Sequence, residues 1–498
     1  MEHPNNELKS PTSIFFKCII VNIGALTSGI FFSSFNASFF QMLSLYADPH
    51  TDQKLLIASL TSAIPLGGVL GGIVACLFAL RLGRRKLMMA LDLLTVIACI
   101  VGQSPFLSVA LVGRTICGFK CGANFLLVPL YVRELLPYYM ITRTVIFFKV
   151  MFSLGMCLSF LIGLISQQNG NEQNLWKLIF LLPIFLAFIR LLGLVSCVKT
   201  DTATFYMKMN RNDKAWEVLK DTYKDQFVDE AYVRERKMSI MFRFKDAFTR
   251  EYRSQVIRAL IITLFAQLMG GHLLTFYSSK LFLGHQAATN DQIYIDIQTL
   301  NLFVAFITLF ANLPGSIFLH KIGRRPILIY GSVILGASSL LIAFSELVNF
   351  IIGQNSLIII FAIVQHLTFN LVSRAYAYEL LPSYSLVFQV VFEMIGASCL
   401  GFVFAYLEIE LAFVIVAAFC ALGFLVSFKI VRETKDMTPT EIHSVFKPDD
   451  TKKKEKTQAL LDEEASLEGD TKIESVKAKE PVKSDQQEDY QYEPVLLR

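Results

Sequence analysis

The chain has 498 residues, of which 54% are hydrophobic and 17% charged, a charged share well below the roughly 25% of soluble proteins. A mean hydropathy of +0.51 over this length indicates a membrane protein rather than a large soluble core. The net charge of +5 does not point to a nucleic-acid-binding protein, and we predict no nucleic-acid partner.

Apolar runs long enough to cross a bilayer recur along the whole chain. A hydrocarbon core about 30 Å thick needs about 20 apolar residues in a helix. We therefore predict an all-α membrane protein with twelve transmembrane helices in two groups of six. The predicted helices span 14–37, 55–80, 87–109, 110–133, 144–167, 177–198, 255–280, 297–320, 327–347, 354–379, 386–407 and 411–431.

The second predicted helix carries four glycines in two overlapping pairs. Gly67 is followed four residues later by Gly71, and Gly68 by Gly72. Small residues at this spacing let a neighbouring helix approach closely. We expect this helix to pack against others at short range.

Two short patterns occur once in each half of the chain. A basic turn, Arg81-Leu-Gly-Arg-Arg, recurs as Lys321-Ile-Gly-Arg-Arg. Each turn is followed by a Glu-Leu-Leu-Pro segment, which begins at Glu134 in the first half and at Glu379 in the second. The two halves are therefore copies of one unit.

The segments between the predicted helices differ in charge, and the positive-inside rule places the basic ones, with both termini, in the cytosol. The predicted organisation is a cytosolic N-terminus at 1–13, a six-helix bundle at 14–198, a cytosolic helical linker at 199–253, a second bundle at 254–431 and a largely disordered tail at 432–498. The linker has amphipathic patterns at 214–219 and 238–248. The tail is a possible binding site for a cytosolic partner.

The sequence carries no pattern typical of an enzyme. It has no nucleophile–base set, phosphate-binding loop or metal-ligand cluster, and its nine cysteines lack metal or disulfide spacing. We predict no catalytic residue, no cofactor and no metal.

The ordered motifs resemble those of the sugar porters of the major facilitator superfamily, similar to the facilitative glucose transporters. The resemblance implies two six-helix bundles around a central pathway that opens alternately to each side. It further implies a plasma-membrane carrier that moves a small polar solute, a monosaccharide such as glucose or fructose, by facilitated diffusion. The first-half motifs are the basic turn at Arg81 and a segment that contains Gly113-Arg114, Gly118, Gly122, Pro129-Leu-Tyr131 and Glu134. The second-half motifs are a segment that contains Gln267, Gly270 and Tyr277-Ser278, then the basic turn at Lys321, and then Glu379-Leu-Leu-Pro382. The last motif is Glu433-Thr434-Lys435 with Glu441-Ile442.

The resemblance also implies a cytosolic gate. Arginine can hold a carboxylate through two hydrogen bonds, and in family members such contacts hold the bundles together while the carrier faces outward. The alternative is that these arginines only set the topology. The gate residues are Arg84, Arg85, Glu134, Arg324, Arg325 and Glu379.

The candidate substrate-binding residues depart in part from the family pattern. Gln267 and Tyr277 match it, whereas Lys149, His272 and Glu393 stand where the family has uncharged amides. The helix predicted at 354–379 also lacks the family's glycines and prolines, so we expect it to be stiffer than in relatives. The full candidate set is Lys149, Gln267, His272, Tyr277, Arg374 and Glu393.

The ionisable residues leave alternatives open, because charges at membrane depth are usually functional or paired. Lys149, Arg374 and Glu393 favour an organic-anion or proton-coupled carrier. The alternative for Arg374 is that it pairs with Glu393 or extends to the cytosolic interface. Arg190 is expected to extend to that interface and Asp92 to pair with the nearby basic turn. A third hypothesis is a transport-deficient nutrient sensor or scaffold.

Overall fold

The computed structural model describes residues 7–47, 52–137, 140–168, 175–241, 249, 252–286, 297–348, 351–381, 385–435, 437 and 439–446. Within these residues the chain is helical, with a 3₁₀ turn at Leu175–Lys177, a π turn at His366–Asn370 and a single β-bridge between Leu8 and Tyr223. The helices are α1 Pro11–Ala37, α2 Phe39–Tyr46, α3 Gln53–Leu82, α4 Arg84–Gly102, α5 Leu107–Leu135, α6 Ile141–Gln168, α7 Leu178–Ser196, α8 Ala203–Lys208, α9 Asn212–Thr222, α10 Asp225–Met241, α11 Arg253–Leu268, α12 Leu273–Gln286, α13 Ile297–Asn312, α14 Gly315–Lys321, α15 Arg324–Leu347, α16 Ile351–Gln365, α17 Leu371–Leu380, α18 Leu386–Tyr406, α19 Ile409–Ile430 and α20 Pro439–Phe446.

Each of the twelve predicted membrane helices coincides with helical structure. In the described part of the chain, ten helical segments are long and apolar enough to cross a membrane. The other two predicted spans correspond to α4, which has a basic first turn, and to the short pair α13 and α14. The predicted all-α architecture is confirmed.

Three of the predicted helices are interrupted rather than continuous. The helix predicted at 255–280 breaks after α11, where Gly270 adopts a φ of 92° that favours glycine. The helix predicted at 297–320 breaks before Pro314, which cannot donate to the helical ladder. The helix predicted at 354–379 contains the π turn His366–Asn370. That last helix is therefore irregular, because the π turn shifts its hydrogen-bond ladder without glycine or proline. Its greater stiffness relative to family members stays a prediction.

The glycines of α3 face two different neighbours. A Cβ on Gly71 would lie 1.9 Å from the carbonyl oxygen of Phe119 in α5, within the same half. A Cβ on Gly68 would lie 2.7 Å from the sulfur of Met394 in α18, in the other half. The predicted close approach is confirmed, and it serves both the packing within the first half and the contact between halves.

The two halves meet mainly along three helix pairs: α3 with α18, α6 with α13, and α1 with α12. At the end of α1 remote from the basic turns, the Asn36 amide donates to the Ser278 hydroxyl at 2.6 Å and accepts from the Ser279 backbone at 2.9 Å. Asn36-Ala37-Ser38 has the pattern of a glycosylation triplet. Because Asn36 is fully buried in this contact, the triplet is not accessible to glycosylation in this conformation.

The outer surface of the helices is apolar. On α4, Leu93, Ile97 and Ile100 form an exposed stripe at helical spacing, and they are 60%, 54% and 65% exposed. A soluble protein would bury such a stripe, whereas a bilayer covers it. The exposed stripe therefore agrees with a membrane-spanning chain.

The first half contains a buried ion pair that the sequence did not predict. The Arg190 guanidinium donates to the Asp92 carboxylate at 3.1 Å and to the Asn124 side-chain oxygen at 3.2 Å. Arg190 is fully buried, so the expectations that it extends to the interface and that Asp92 pairs with the basic turn are wrong. The cost of burying each charge is offset by the other charge.

The segment between the halves forms the short helices α8, α9 and α10. The predicted amphipathic pattern at 214–219 is confirmed by α9, which buries Ala215, Val218 and Leu219 on one face. The pattern predicted at 238–248 overlaps the end of α10 at Met241, and residues 242–248 lie outside the described residues. The tail from 447 to 498 also lies outside them.

Candidate functional site

The first basic turn is part of a cluster that we call the N-terminal clasp, formed by Arg84, Glu134, Asp201 and Thr202. The Arg84 guanidinium donates to the Glu134 carboxylate at 2.6 Å, and both side chains are almost fully buried. The Thr202 hydroxyl donates to the other oxygen of Glu134 at 2.6 Å. The Asp201 carboxylate accepts from the Arg85 backbone at 3.2 Å, at the N-terminus of α4.

The second basic turn builds the matching C-terminal clasp from Arg324, Glu379, Glu433 and Thr434. The Arg324 guanidinium donates to Glu379 at 2.5 Å, and the Thr434 hydroxyl donates to the same carboxylate at 2.6 Å. The Glu433 carboxylate accepts from the backbones of Arg324 and Arg325 at 2.9 and 3.0 Å. Both clasps therefore place an arginine on a glutamate and a second carboxylate at the positive end of a helix.

The glycine of each turn is required by this arrangement. Gly83 and Gly323 have φ values of 88° and 97°, which side chains rarely adopt. A Cβ on Gly83 would lie 2.2 Å from the Asp201 carboxylate, and one on Gly323 would lie 2.7 Å from the Glu433 carboxylate. The repeated glycine thus leaves room for the carboxylate that caps the next helix.

The second arginine of each turn does not bind the glutamate. The Arg85 side chain donates to the carbonyl oxygen of Leu194 at 2.9 Å, and the Arg325 side chain donates to that of Phe428 at 3.2 Å. The ion pairs Arg84–Glu134 and Arg324–Glu379 each join helices of the same half, so neither of them joins the two halves directly in this conformation. Their role in a gate stays a prediction. A contact between the halves on this side is made by Arg133, whose guanidinium donates to the Leu381 carbonyl at 3.2 Å.

Between the halves lies a group of buried polar residues that we call the central cluster: Lys149, His272, Asn370, Arg374 and Glu393. The Arg374 guanidinium donates to both oxygens of Glu393, at 2.5 and 2.6 Å. Its central carbon also lies 4.7 and 4.9 Å from the ring centres of Phe125 and Phe148. An arginine of the second half is thus held between two aromatic rings of the first half.

Lys149 reaches from the first half into the same cluster. Its amine donates to the side-chain oxygen of Asn370 and lies 4.0 Å from Glu393. The Asn370 amide in turn donates to the Gly271 carbonyl at 3.5 Å, in the break between α11 and α12. The π turn and this break are therefore joined to each other and to Lys149.

His272 begins the second part of the broken helix. Its Nε2 lies 3.9 Å from the Glu393 carboxylate, and its ring centre lies 5.2 Å from that of Phe32 in α1. Phe32 also packs against Phe152 and Phe276, with ring centres 5.6 and 5.8 Å away. Aromatic rings thus cover one side of the cluster, and side chains fill the centre of the pathway.

Two amide oxygens beside the helix break are buried without a hydrogen-bond partner among the described residues. They belong to Gln267 and Gln365. The other end of Gln365 donates to the Ala266 carbonyl at 3.2 Å, which fixes the amide beside α11. An unpaired buried acceptor is costly unless a donor reaches it in another state. Both oxygens could accept from a hydroxyl group of a solute.

Tyr277, the remaining candidate contact, has hydrogen-bond partners in both halves, Gly401 in its own half and Thr61 in the other. Its hydroxyl donates to the Gly401 carbonyl in α18, and its side chain is buried. Of the six predicted substrate contacts, the structure brings Lys149, His272, Arg374 and Glu393 into one cluster. It places Gln267 on the last turn before the helix break and Tyr277 further along α12.

Two carboxylates in the segment between the halves have raised pKa values. Burial raises the pKa of Glu235 to about 7, although Thr204 donates a hydrogen bond to its carboxylate at 2.9 Å. Burial also raises the pKa of Asp201, and the charge of Arg84 partly offsets this shift. Charging these carboxylates is therefore costly next to the N-terminal clasp.

Comparison with known sequences identifies the family. The profile of the family described as "Sugar (and other) transporter" matches residues 17–446, most of the chain. The chain belongs to the sugar transporter family. It is accordingly an integral, multi-pass membrane protein, and a family of transporters supports a transport role rather than an enzymatic one.

Curated relatives of this sugar transporter family member are distant. The chain is 25% identical over 57% of its length to the glucose transporter GlcP of Staphylococcus epidermidis, and 28% identical over 56% to the facilitated glucose transporter member 1 of Gallus gallus. The matched parts span 61% and 59% of those two proteins, so about three fifths of each is covered. Against the facilitated glucose transporter member 5 of Rattus norvegicus, the chain is 24% identical over 78% of its length and 81% of that protein.

Solved structures share the fold of this family member. The proton:xylose symporter XylE bound to 6-bromo-6-deoxy-D-glucose superposes with a TM-score of 0.75 at 16% identity, covering 88% of this chain and 99% of that one. The partially occluded inward-open XylE from E. coli gives a TM-score of 0.72 at 16% identity, covering 86% of this chain and all of that one. The major facilitator fold, with twelve membrane helices in two six-helix bundles, is therefore established.

Several residues of these sites escaped sequence reasoning. Asp201 and Thr202 mirror Glu433 and Thr434, and the acid-then-threonine pair that follows each half is the signal in the sequence that could have found them. No local pattern singled out Asn370, because its role depends on contacts with α6 and the break before α12.

Proposed function

We propose that this protein moves a monosaccharide across the plasma membrane by alternating-access facilitated diffusion, with glucose and fructose as the first candidate substrates. Family membership and the names of the curated relatives support a sugar as the solute. Both termini are proposed to lie in the cytosol, on the side of the basic turns.

The observation that carries this proposal is the unpaired amide oxygen of Gln267. A sugar is uncharged and rich in hydroxyl donors, and a buried acceptor without a partner is satisfied when such a donor binds. Gln267 lies beside the break at Gly270, in the type of discontinuous helix that forms binding sites in secondary transporters.

The conformation suggests how access would alternate. Asn36 closes the side remote from the basic turns, and Arg133 contacts Leu381 on the other side. We infer that one contact opens while the other stays closed, as the halves move about the α3–α18 contact. The clasps would keep the helices of each half together during this movement.

Uptake of labelled hexoses by proteoliposomes that contain the purified chain tests the proposal. Gln267→Ala should raise the KM for the transported hexose about tenfold, since a hydrogen bond to an uncharged group contributes about 1 kcal/mol and an unpaired group costs more. The matched control is Gln354→Ala, which removes a buried amide whose oxygen is also unpaired but whose nitrogen donates to Glu346, away from the break at Gly270. No hexose flux above empty liposomes would contradict the proposal.

A second candidate function, transport of an organic anion, is favoured by the charges of the central cluster. Lys149 and Arg374 contribute two positive charges near one carboxylate, Glu393. A carboxylate-bearing solute would neutralise the excess cation, whereas a sugar would not.

Labelled sugar acids, such as glucuronate, separate the two candidates in the same liposomes. Under the second candidate, Lys149→Gln abolishes the uptake of the acid. Under the first candidate, the wild-type protein takes up hexose but does not take up the acid.

A further inference from the structure

A crevice of about 400 Å³ opens on the membrane-facing surface of the C-terminal half. Five of its six lining residues lie on one face of the first turns of α11, at spacings of three or four residues. The sixth, Ile430, is the last residue of α19. Arg325 of the second basic turn donates to the carbonyl of Phe428, which lies two residues before Ile430 in α19. The crevice therefore lies on the side of the basic turns. Its lining residues are Arg253, Ser254, Ile257, Arg258, Ile261 and Ile430.

Positively charged arginine side chains lie at the opening of this crevice. Arg253 is exposed, and the Arg258 guanidinium donates to the Ile430 carbonyl and to the Ser254 hydroxyl, the latter at 3.2 Å. Arg432 lies close by, since its guanidinium and that of Arg258 are both within 6 Å of the Phe446 ring, at 5.7 and 5.4 Å.

The described residues provide no carboxylate within 4.0 Å of Arg253, Arg258 or Arg432. The nearby Glu433 is already used, because it accepts from the backbones of Arg324 and Arg325. Three like charges next to one another repel. A bound anion would relieve that repulsion.

The wall of the crevice is apolar and faces the bilayer. Ile257 is 42% exposed, and Phe428, two residues before the lining residue Ile430, is 56% exposed. A small soluble anion gains nothing from these side chains, whereas an acyl chain does. The combination of a cationic mouth and an apolar wall fits an amphiphile.

We propose that the crevice binds an anionic phospholipid of the leaflet on the side of the basic turns. The lipid phosphate accepts hydrogen bonds from Arg253 and Arg258, and an acyl chain lies along Ile257 and Ile261. The positive-inside rule makes this the cytosolic leaflet, where anionic lipids concentrate and where basic pockets between membrane helices bind their headgroups.

The bound lipid would also steady the end of the folded chain. α20 rests on the start of α11, where the His443 ring stacks on Tyr252 at 4.5 Å and contacts the Gln255 amide at 3.2 Å. Arg258 touches Phe446 at the end of the same helix. A phosphate that orders Arg258 therefore strengthens the contact between α11 and α20.

Native mass spectrometry of the full chain, with added phosphatidylglycerol, phosphatidylserine or phosphatidylcholine, tests this site. The anionic lipids should bind the wild-type chain at least about tenfold more tightly than phosphatidylcholine. Each arginine near a membrane surface contributes about 1 kcal/mol, or about fivefold in affinity. Arg253→Gln should thus weaken anionic lipid binding about fivefold, and Arg253→Gln with Arg258→Gln by more than tenfold.

The control is Arg211→Gln, which removes an exposed arginine at the start of α9 and should leave lipid binding unchanged. The Arg253 side chain has no hydrogen-bond partner among the described residues, so Arg253→Gln remains informative even if the double variant does not fold. Equal binding of anionic and zwitterionic lipid, or unchanged binding in Arg253→Gln, would overturn the proposal. So would competition by inorganic phosphate alone, because the apolar wall would then play no part. The outcome does not depend on which solute is transported.

Discussion

The two clasps and the central cluster use the same residue types in opposite ways. Each clasp repeats one local design within its own half, where an arginine binds a glutamate and a second carboxylate caps a helix. The central cluster occurs once and draws its charges from both halves, with Lys149 on one side and Arg374 and Glu393 on the other. A duplicated unit can keep an arrangement that each copy completes by itself, whereas a single pathway between the copies is free to diverge.

The difference also has a physical basis. In the clasps, backbone N–H groups and a threonine hydroxyl donate to the buried carboxylates and help to offset the cost of their charge. In the central cluster, Glu393 is paired directly with Arg374, which also lies between two aromatic faces. The following substitutions break one region while leaving the other intact.

The largest effect is expected in the central cluster. Arg374→Met leaves Glu393 buried without its main partner, and breaking a buried pair in this way costs about 3–5 kcal/mol. The unfolding temperature of the purified protein should fall sharply, as measured by thermal unfolding in detergent. The double variant Arg374→Gln with Glu393→Gln should recover only part of the loss, since the buried carboxylate is gone but Lys149 loses the carboxylate 4.0 Å from it. Wild-type stability in Arg374→Met alone would show that Glu393 does not need the arginine.

A smaller effect is expected from the clasps. Glu134→Gln or Glu379→Gln weakens one charge-assisted hydrogen bond within its own half. Glu134 is next to Arg133 and Glu379 lies two residues before Leu381, so each change loosens one partner of the contact between the halves. The population should shift toward opening on the side of the basic turns, by up to about tenfold. The readout is labelling of Ser153→Cys, between the halves, by a membrane-impermeant thiol reagent, in a background where the exposed Cys197 and Cys399 are replaced by serine.

The control for the clasps is Arg81→Gln, an exposed arginine of the same turn. If the turns only set topology, this variant and the glutamate variants should label equally. Labelling that stays at the wild-type rate in both glutamate variants would argue against a gate.

The smallest effect is a change of stability with pH, caused by Glu235 in α10 beside the N-terminal clasp. Because the pKa of Glu235 rises from 4.5 in the unfolded chain to about 7 in the folded one, its contribution to stability is present below pH 4.5. That contribution is lost as the pH rises through about 7. Glu235→Gln should therefore be more stable than the wild type at pH 8, by on the order of 3 kcal/mol at most, and equal to it near pH 4.5.

Thermal unfolding between pH 4.5 and 9 measures this difference directly. Asp229→Asn, on the same helix, serves as the control because Asp229 is exposed. A difference between Glu235→Gln and the wild type that does not change with pH would contradict the assignment.

Much of the fold could be predicted from the sequence, because a membrane helix is a local property of about 20 apolar residues. The twelve spans, the duplicated turns and the family all follow from such local patterns. The helix at 354–379 shows the limit. The absence of glycine and proline predicted a regular helix, but a π turn forms where Asn370 reaches both Lys149 and the break at Gly271.

The sequence by itself therefore determined which segments cross the membrane and which residue types could carry function. The tertiary structure alone decided their partners. Arg190 meets Asp92, Arg374 meets Glu393 between Phe125 and Phe148, and Asp201 caps the helix that follows Gly83. These contacts join residues from separate helices, and they depend on how each helix is rotated against its neighbours, which no local pattern specifies.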